Sequence, residues 1–301
     1  MPYPITATFI DEITYDIVPQ NWKEKEWIKD LDNMLEVGIN TAVIMRGVFY
    51  DKCIYPSERF KDKKRDYNDF IGLILSEAEK RNMKIYLGLY ISNLTWNDGI
   101  IEKEIEENEY YVDEILERYS EYKSFVGWYL PHEVGHDSFN IIPLTKGLIE
   151  ILKRKSPEKE ILMSPFFRDA AIDFYEPSLT PEETYEEWDK MFKEFGKDID
   201  ICAFQDGTAH IDNLDKYLNA AKQICDKYNI RLWSNIETFS RNFGLEFPPQ
   251  DFEIIKKKIE IASKYVETNI TFEFSHFLSP DSIYEKAREN NKEYKKYYGN
   301  K

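Results

Sequence analysis

The sequence predicts a (β/α)8 barrel, and three observations carry that prediction. Eight short runs rich in β-branched and aromatic residues recur along the 301 residues. Each is followed by a longer stretch with helical periodicity, and the runs start roughly 30–45 residues apart, the repeat of a βα unit with its loops. The glycine-rich phosphate loop that marks a doubly wound open sheet is missing after the early runs. With no linker, low-complexity stretch or break in composition, the barrel is expected to take residues 1–301 as one domain.

In order, the strand runs are ITATFIDE (5–12), INTAVIMRG (39–47), KIYLGLYIS (84–92), SFVGWYLPHE (124–133), EILMSPFF (160–167), DICAFQDG (200–207), RLWSNIET (231–238) and ITFEFSHF (270–277). Between them the period changes from two to 3.6. In LDKYLNAAKQICDKY the residues Leu214, Tyr217, Leu218, Ala221, Ile224, Cys225 and Tyr228 share one face. Phe252, Ile255, Ile259 and Ala262 do the same in the next helix. Thr180-Pro181-Glu182-Glu183 supplies an N-cap, a proline at the first helical position and a capping-box glutamate. Ser279-Pro280 repeats the cap-then-proline pattern and is expected to start the last helix. Long segments follow the first strand (13–23), the second (48–66), the third (93–102) and the fifth (168–180), at the strand ends where barrel active sites are built.

Forty basic against 56 acidic side chains give a net charge of −16, which disfavours nucleic acid and anionic membrane surfaces as partners. Cys202 and Cys225 fall on apolar faces and are expected in the core, with no disulfide or metal role. MPYPITATFIDE lacks the pattern of a signal peptide, and no apolar run approaches the length of a membrane span. A soluble cytoplasmic protein is the resulting expectation.

His132-Glu133-Val134-Gly135-His136 matches the zinc-protease pattern H-E-x-x-H. That motif works because a helix places the two histidines on one face. Here it follows the strand-like GWYL and Pro131, contains Gly135, and precedes a helix starting near residue 141. The histidines are not expected to converge. The alternative reading is that Glu133 ends the fourth strand, at the catalytic face. Glu237 ends the seventh strand in the same way. Three steps apart around eight, the two glutamates would face each other across the mouth. A separation of about 5–5.5 Å would suit a retaining glycosidase and about 6.5–9.5 Å an inverting one.

TFIDEITYDI, GWYLPHE, FQDG and NIETF together resemble segments of a bacterial TIM-barrel domain family of unknown function described as glycosyl-hydrolase-like. The placement of the two glutamates is similar to that of the clan A glycoside hydrolases. The resemblance implies a barrel acting on carbohydrate, with Glu133 as acid/base and Glu237 as nucleophile. It departs from clan A in having His132 where an asparagine usually precedes the acid/base, and in lacking an identifiable strand-6 tyrosine to support the nucleophile.

Further candidates lie near strand ends. His132, His136, His210 and His276 all fall there, suited either to sugar hydroxyls or to a metal. Gln205 and Asp206 end the sixth strand, where Asp206-Gly207 is equally a turn. Asn235 belongs to the seventh strand, and Asp11, Glu12, Arg46 and Glu273 are polar residues near the mouth, some of them suited to a buried ion pair. Trp96 and Tyr90 are candidate sugar platforms, with Trp22, Phe166 and Phe167 as further loop or strand-end aromatics; Trp128 and Trp233 are expected in the core. The combined expectation is a retaining glycoside hydrolase without cofactor or metal, binding its carbohydrate through His132, Gln205, Asp206, Asn235, Trp96, Arg46, Tyr90 and His276. Its rivals are a metal-dependent barrel enzyme built on the mouth histidines and a non-catalytic carbohydrate-binding barrel.

Overall fold

A computed structural model describes residues 2–15, 17–64, 67–92, 96, 100–172, 177–241 and 247–299. Most of the long segment expected after the third strand (93–95 and 97–99), residues 65–66 of the second and 173–176 of the fifth lie outside the described residues.

Eight parallel strands close into a barrel. They are β1 (Ile5–Ile10), β2 (Thr41–Ile44), β3 (Lys84–Gly88), β4 (Phe125–Leu130), β5 (Glu160–Met163), β6 (Ile201–Gln205), β7 (Arg231–Glu237) and β8 (Asn269–Phe272). Neighbours in sequence are neighbours in the ring, and β1 closes it by pairing with β8 at Thr8 and Thr271. The alternating helices are α1 (Glu24–Glu36), α2 (Phe70–Lys80), α3 (Ile101–Tyr119), α4 (Ile141–Lys155), α5 (Pro181–Phe195), α6 (Leu214–Lys227), α7 (Phe252–Ala262) and α8 (Glu285–Tyr298). A small antiparallel hairpin, Val48–Phe49 with Lys52–Cys53, decorates the segment after β2.

The strands read as nearly continuous apolar runs because both faces are covered. Inside the ring, Ala7, Phe9, Val43, Tyr86, Tyr129, Leu162, Ala203 and Ile270 form a filled core, not a pore. A larger layer between strands and helices includes Trp27, Trp128, Trp188 and Tyr111. The helical faces read from periodicity are the buried ones: Leu214, Tyr217, Leu218, Ala221, Ile224 and Cys225 on α6, and Phe252, Ile255, Ile259 and Ala262 on α7. Tyr228, at the C-cap of α6, is only half-buried. The capping box forms as expected, with Glu183 N–H donating to Thr180 Oγ1 at 3.2 Å and Thr180 N–H donating to Glu183 Oε2 at 2.8 Å. All three cysteines are buried free thiols. Trp128 is buried, whereas Trp233 is half-buried.

Two local expectations need correction. ITFEFSHF is not one strand: β8 stops at Phe272, and Phe274–Phe277 is a helical turn whose Glu273 carboxylate accepts from the His276 N–H. The capping preference of a carboxylate beats the β-propensity of the flanking phenylalanines. Ser279-Pro280 does not start the last helix either, because α8 begins at Glu285. The Ser279 hydroxyl donates instead to buried Asp30 at 2.5 Å, a tertiary demand that local pattern does not reveal.

Candidate active site

HEVGH is not helical: residues 131–137 run as irregular chain from β4 towards α4, which begins at Ile141 as the sequence implied. This extended exit carries Glu133 into a cavity of about 190 Å³ at the C-terminal end of the barrel. Glu237, the last residue of β7, lines the same cavity. Arg46, Gln205 and Asn235, named from sequence, line it too, as does Asp11. Phe166, Phe239, Phe247 and Phe272 supply its apolar walls. A volume below the roughly 300–1,000 Å³ of drug-sized pockets suits a ligand of about one ring.

The two glutamates are held differently. Glu133 is half-buried, and Tyr129, four residues earlier in the chain, donates its hydroxyl to Oε1 at 2.5 Å. Burial pushes the Glu133 carboxyl up from the ordinary range, against the Arg46 charge and the Tyr129 and Gln205 hydrogen bonds, while the Glu237 charge adds to the rise. Glu237 is 2% exposed and ion-paired through Oε1 to the Arg241 guanidinium at 2.9 Å. Its Oε2 is buried with no hydrogen-bond partner.

Beneath Glu237 lies a positioning layer. Asp206 Oδ1 accepts from the Glu237 N–H at 3.0 Å and from Lys258 Nζ at 2.7 Å, and Nζ also donates to the Glu237 carbonyl at 3.0 Å. Asp206 is fully buried and absent from the cavity wall, so it anchors Glu237's backbone where substrate contact had been expected. Burial raises its pKa to about 6, with Lys258 opposing and Glu237 contributing. Gly207 leaves room for Glu237: a Cβ there would collide with the Glu237 carboxylate, which would have to shift.

On the other wall, Arg46 donates to Thr14 Oγ1 at 2.7 Å, lies 3.6 Å from Asp11 Oδ2 and stacks over Phe49 at 4.6 Å. Its Nε is buried without a hydrogen-bond partner, as is Asn235 Oδ1, whose Nδ2 is satisfied by Ser164 Oγ at 3.2 Å. Gln205 donates to the Ser164 carbonyl at 2.8 Å. Three buried atoms of cavity-lining residues, Arg46 Nε, Asn235 Oδ1 and Glu237 Oε2, are thus left without a hydrogen bond by the protein.

Four other residues read as ligand-binding from the sequence do not line this cavity. His132 turns towards α3, its Nε2 lying 2.8 Å from Glu104 Oε1, and Trp96 packs edge-on against it. Burial pushes the Glu104 carboxyl up, but the His132 and Ser92 hydrogen bonds prevail and hold it below the ordinary range. Tyr90 is buried against Phe60. His276 is sealed, with Nδ1 hydrogen-bonded to Glu273 and Nε2 3.5 Å from Glu12 Oε1. His210 is exposed near Asp212, and His136 is half-buried. Among the described residues no group of three or more His, Cys, Asp or Glu is placed to hold a metal ion. A larger hollow, about 580 Å³, opens around Arg231 and Trp233 at the opposite end of the barrel and contains neither glutamate.

Sequence reasoning missed Tyr129, Arg241 and Lys258. Lys258 left a trace: it falls between Ile255 and Ile259 on the apolar face of α7, where a lysine needs a buried partner. Arg241 follows Glu237 by four residues, a spacing without meaning outside a helix.

The chain belongs to the DUF4434 family, a domain of unknown function, whose model matches residues 5–284. It is similar over its whole length to a crystal structure from Bacteroides thetaiotaomicron VPI-5482 provisionally assigned as an alpha-L-fucosidase, with 35% identity, a TM-score of 0.94 and 94% of that chain covered. The fold also matches an endo-1,4-beta-D-mannanase from Thermotoga petrophila RKU-1 at 12% identity and TM-score 0.65, covering 98% of this chain and 99% of that one. A glycoside hydrolase family 5 protein from Bacteroides vulgatus matches at 12% identity and TM-score 0.61, covering 91% and 59%. No curated protein sequence matches the chain. The fold is thus that of glycoside hydrolases, and no helix among the described residues is long and apolar enough to cross a membrane.

Proposed function

We propose that this protein is a retaining glycoside hydrolase acting on an oligo- or polysaccharide, with Glu133 as acid/base and Glu237 as nucleophile. The observation that carries the reading is that carboxylates from the ends of β4 and β7 line one ring-sized cavity in unlike environments. Burial favours the protonated form of Glu133, the state an acid must start from. Glu237 sits beside a guanidinium, which favours its charged form, the state a nucleophile must start from.

In the first step the Glu237 carboxylate attacks the anomeric carbon as the glycosidic C–O bond breaks, and the Glu133 proton passes to the departing oxygen. Glu133, now a carboxylate, then takes a proton from water. That water attacks the anomeric carbon, breaks the ester to Glu237 and returns Glu133 to its acid form. Tyr129 can donate to Glu133 in its charged state, and the Asp206–Lys258 layer holds the Glu237 backbone in register. In this reading Arg46, Asn235 and Gln205 meet sugar hydroxyls and the phenylalanine walls cover C–H faces.

The test is a panel of 4-nitrophenyl glycosides that includes the α-L-fucoside, because the 35% identical relative carries that provisional assignment. At least one should be cleaved with retained anomeric configuration by proton NMR, and Glu237→Gln should lose at least about a thousandfold in kcat. An inverted first product would remove the nucleophile role. Full activity in Glu237→Gln would refute the assignment, and glycan binding without any turnover would leave a binding barrel.

A further inference from the structure

Next to the cavity, on the β1–β2 side of the mouth, lies an open hollow of about 620 Å³ lined by Tyr15, Tyr50 and the charged residues Asp51, Arg59, Asp62 and Lys63. The two spaces are contiguous along the chain: Thr14 lines the cavity and Tyr15 the hollow. Phe49 links residues of the two, since it carries Arg46 of the cavity on its ring and packs against Tyr15 and Tyr50 at 6.0 and 4.3 Å.

Two features distinguish this hollow from ordinary surface. Tyr15 is 59% exposed yet contacted on several sides. Its hydroxyl is hydrogen-bonded to Asp51, Lys52 Nζ sits 4.4 Å from its ring centroid, and Tyr50 meets it edge-on at 5.9 Å. A ring left in solvent but held by such contacts is pre-organised for a ligand, because less rotamer entropy remains to be lost on binding. Tyr50 adopts φ +49° at the hairpin turn, a left-handed conformation costly for a bulky side chain and favoured by Asn or Gly. The turn thus carries a strained tyrosine whose ring forms part of the hollow.

We propose that this hollow is an outer binding site for a neutral sugar ring, the neighbour in the same glycan of the ring held between Glu133 and Glu237; this rests on the glycoside hydrolase reading. Aromatic rings cover the C–H face of a sugar, and carboxylate and guanidinium edges take its hydroxyls. The neutral class follows from the charges. The lining carries two cations and two carboxylates, Arg59 is paired with Glu107 at 2.7 Å, and Lys63 donates to the Tyr50 carbonyl. No net charge is left over to select an anionic sugar.

Tyr50→Asn removes the ring while suiting the left-handed turn, so the hairpin should remain folded, and Tyr15→Ala provides a second probe. Wild type, both variants and Glu237→Gln are compared on an array of neutral oligosaccharides with gluco-, galacto-, manno-, xylo- and fuco-configured units, and on 4-nitrophenyl monoglycosides. The expected result is oligosaccharide binding that both tyrosine variants weaken at least tenfold and Glu237→Gln retains. Turnover of the monoglycoside, which does not reach the hollow, should stay within about twofold in both. Unchanged oligosaccharide binding in the two tyrosine variants, or no binding by the wild type, overturns the outer site. Oligosaccharide binding with no monoglycoside cleaved refutes the hydrolase reading and leaves the site standing.

Discussion

Two polar clusters sit a few residues apart at the C-terminal end of the barrel, built from the same ingredients and put to different uses. In the cavity, Asp11, Glu133 and Glu237 meet Arg46 and Arg241. Behind β1 and β8, the buried Glu12 and Glu273 flank His276, and buried Asp30 lies close enough to Glu273 for the two charges to interact. The second cluster is hydrogen-bonded from within the protein: Asp30 accepts from Ser275 and Ser279, Glu12 from the Gln20 N–H at 2.9 Å, and Glu273 from the His276 backbone and ring, with Glu273 Oε2 and His276 Nε2 left without a hydrogen bond. The cavity cluster differs in that Asp11, Glu133 and Glu237 line a space a ligand could enter, whereas Glu12, Asp30, Glu273 and His276 do not line it. Carboxylates near barrel strand ends thus have two placements here, and what distinguishes them is whether they line this cavity or are closed over by the protein.

The sharpest way to break that contrast is to neutralise one carboxylate in each cluster. Glu237→Gln is expected to remove turnover, whereas Glu273→Gln, outside the cavity, should leave kcat within a fewfold while lowering the melting temperature. Equal losses of turnover would erase the distinction.

Next in size is the support beneath Glu237. Lys258→Met strands the Asp206 carboxylate in the interior, and removing one partner of a buried pair costs about 3–5 kcal/mol. Urea unfolding should show that loss, and the double variant Lys258→Met/Asp206→Leu should recover part of it because no unpaired charge remains.

The smallest effect concerns pH. Burial raises Asp30 and Glu12 to about 7; hydrogen bonds from Ser279, Ser275 and Asn33 oppose the shift at Asp30, and His276 opposes it at Glu12. For His276 burial pulls the pKa down, but Glu273, Glu12 and Asp11 prevail and raise it. In all three the folded state holds its proton more tightly than the unfolded chain. The stability they contribute is complete at low pH. It falls as pH rises from about 4 to 7 for the two carboxyls, and through the raised value for the histidine. Asp30→Asn should flatten the decline in melting temperature between pH 5 and 8 by a few degrees, read by thermal scans at matched ionic strength. An unchanged slope would mean that Asp30 titrates in its ordinary range.

Much of this architecture is legible in the residue order. Strand and helix periods repeat eight times because each βα unit buries one apolar face against the next, a local pattern repeated along the chain. Pro131 and Gly135 argue against a helical HEVGH, and glutamates ending two strand-like runs place Glu133 and Glu237 at the mouth. His132, Tyr90, Trp96 and His276 are legible as residues near strand ends but not in orientation. His132 turns to Glu104, which lies 28 residues away on α3, and nothing in the flanking sequence announces that contact.

By itself, then, the amino-acid order determined the barrel, its helical faces, the capping at Thr180 and the two strand-end glutamates, because these depend on residue periods and short-range chemistry. Tertiary structure alone decided which strand-end polar groups stay open and which are sealed. It set Arg241 beside Glu237, Lys258 under Asp206 and Ser279 on Asp30, and it aligned Tyr15 with the hairpin. These outcomes come from desolvation and from partners remote in sequence: the same carboxylate is a structural element or a chemical one according to what closes over it.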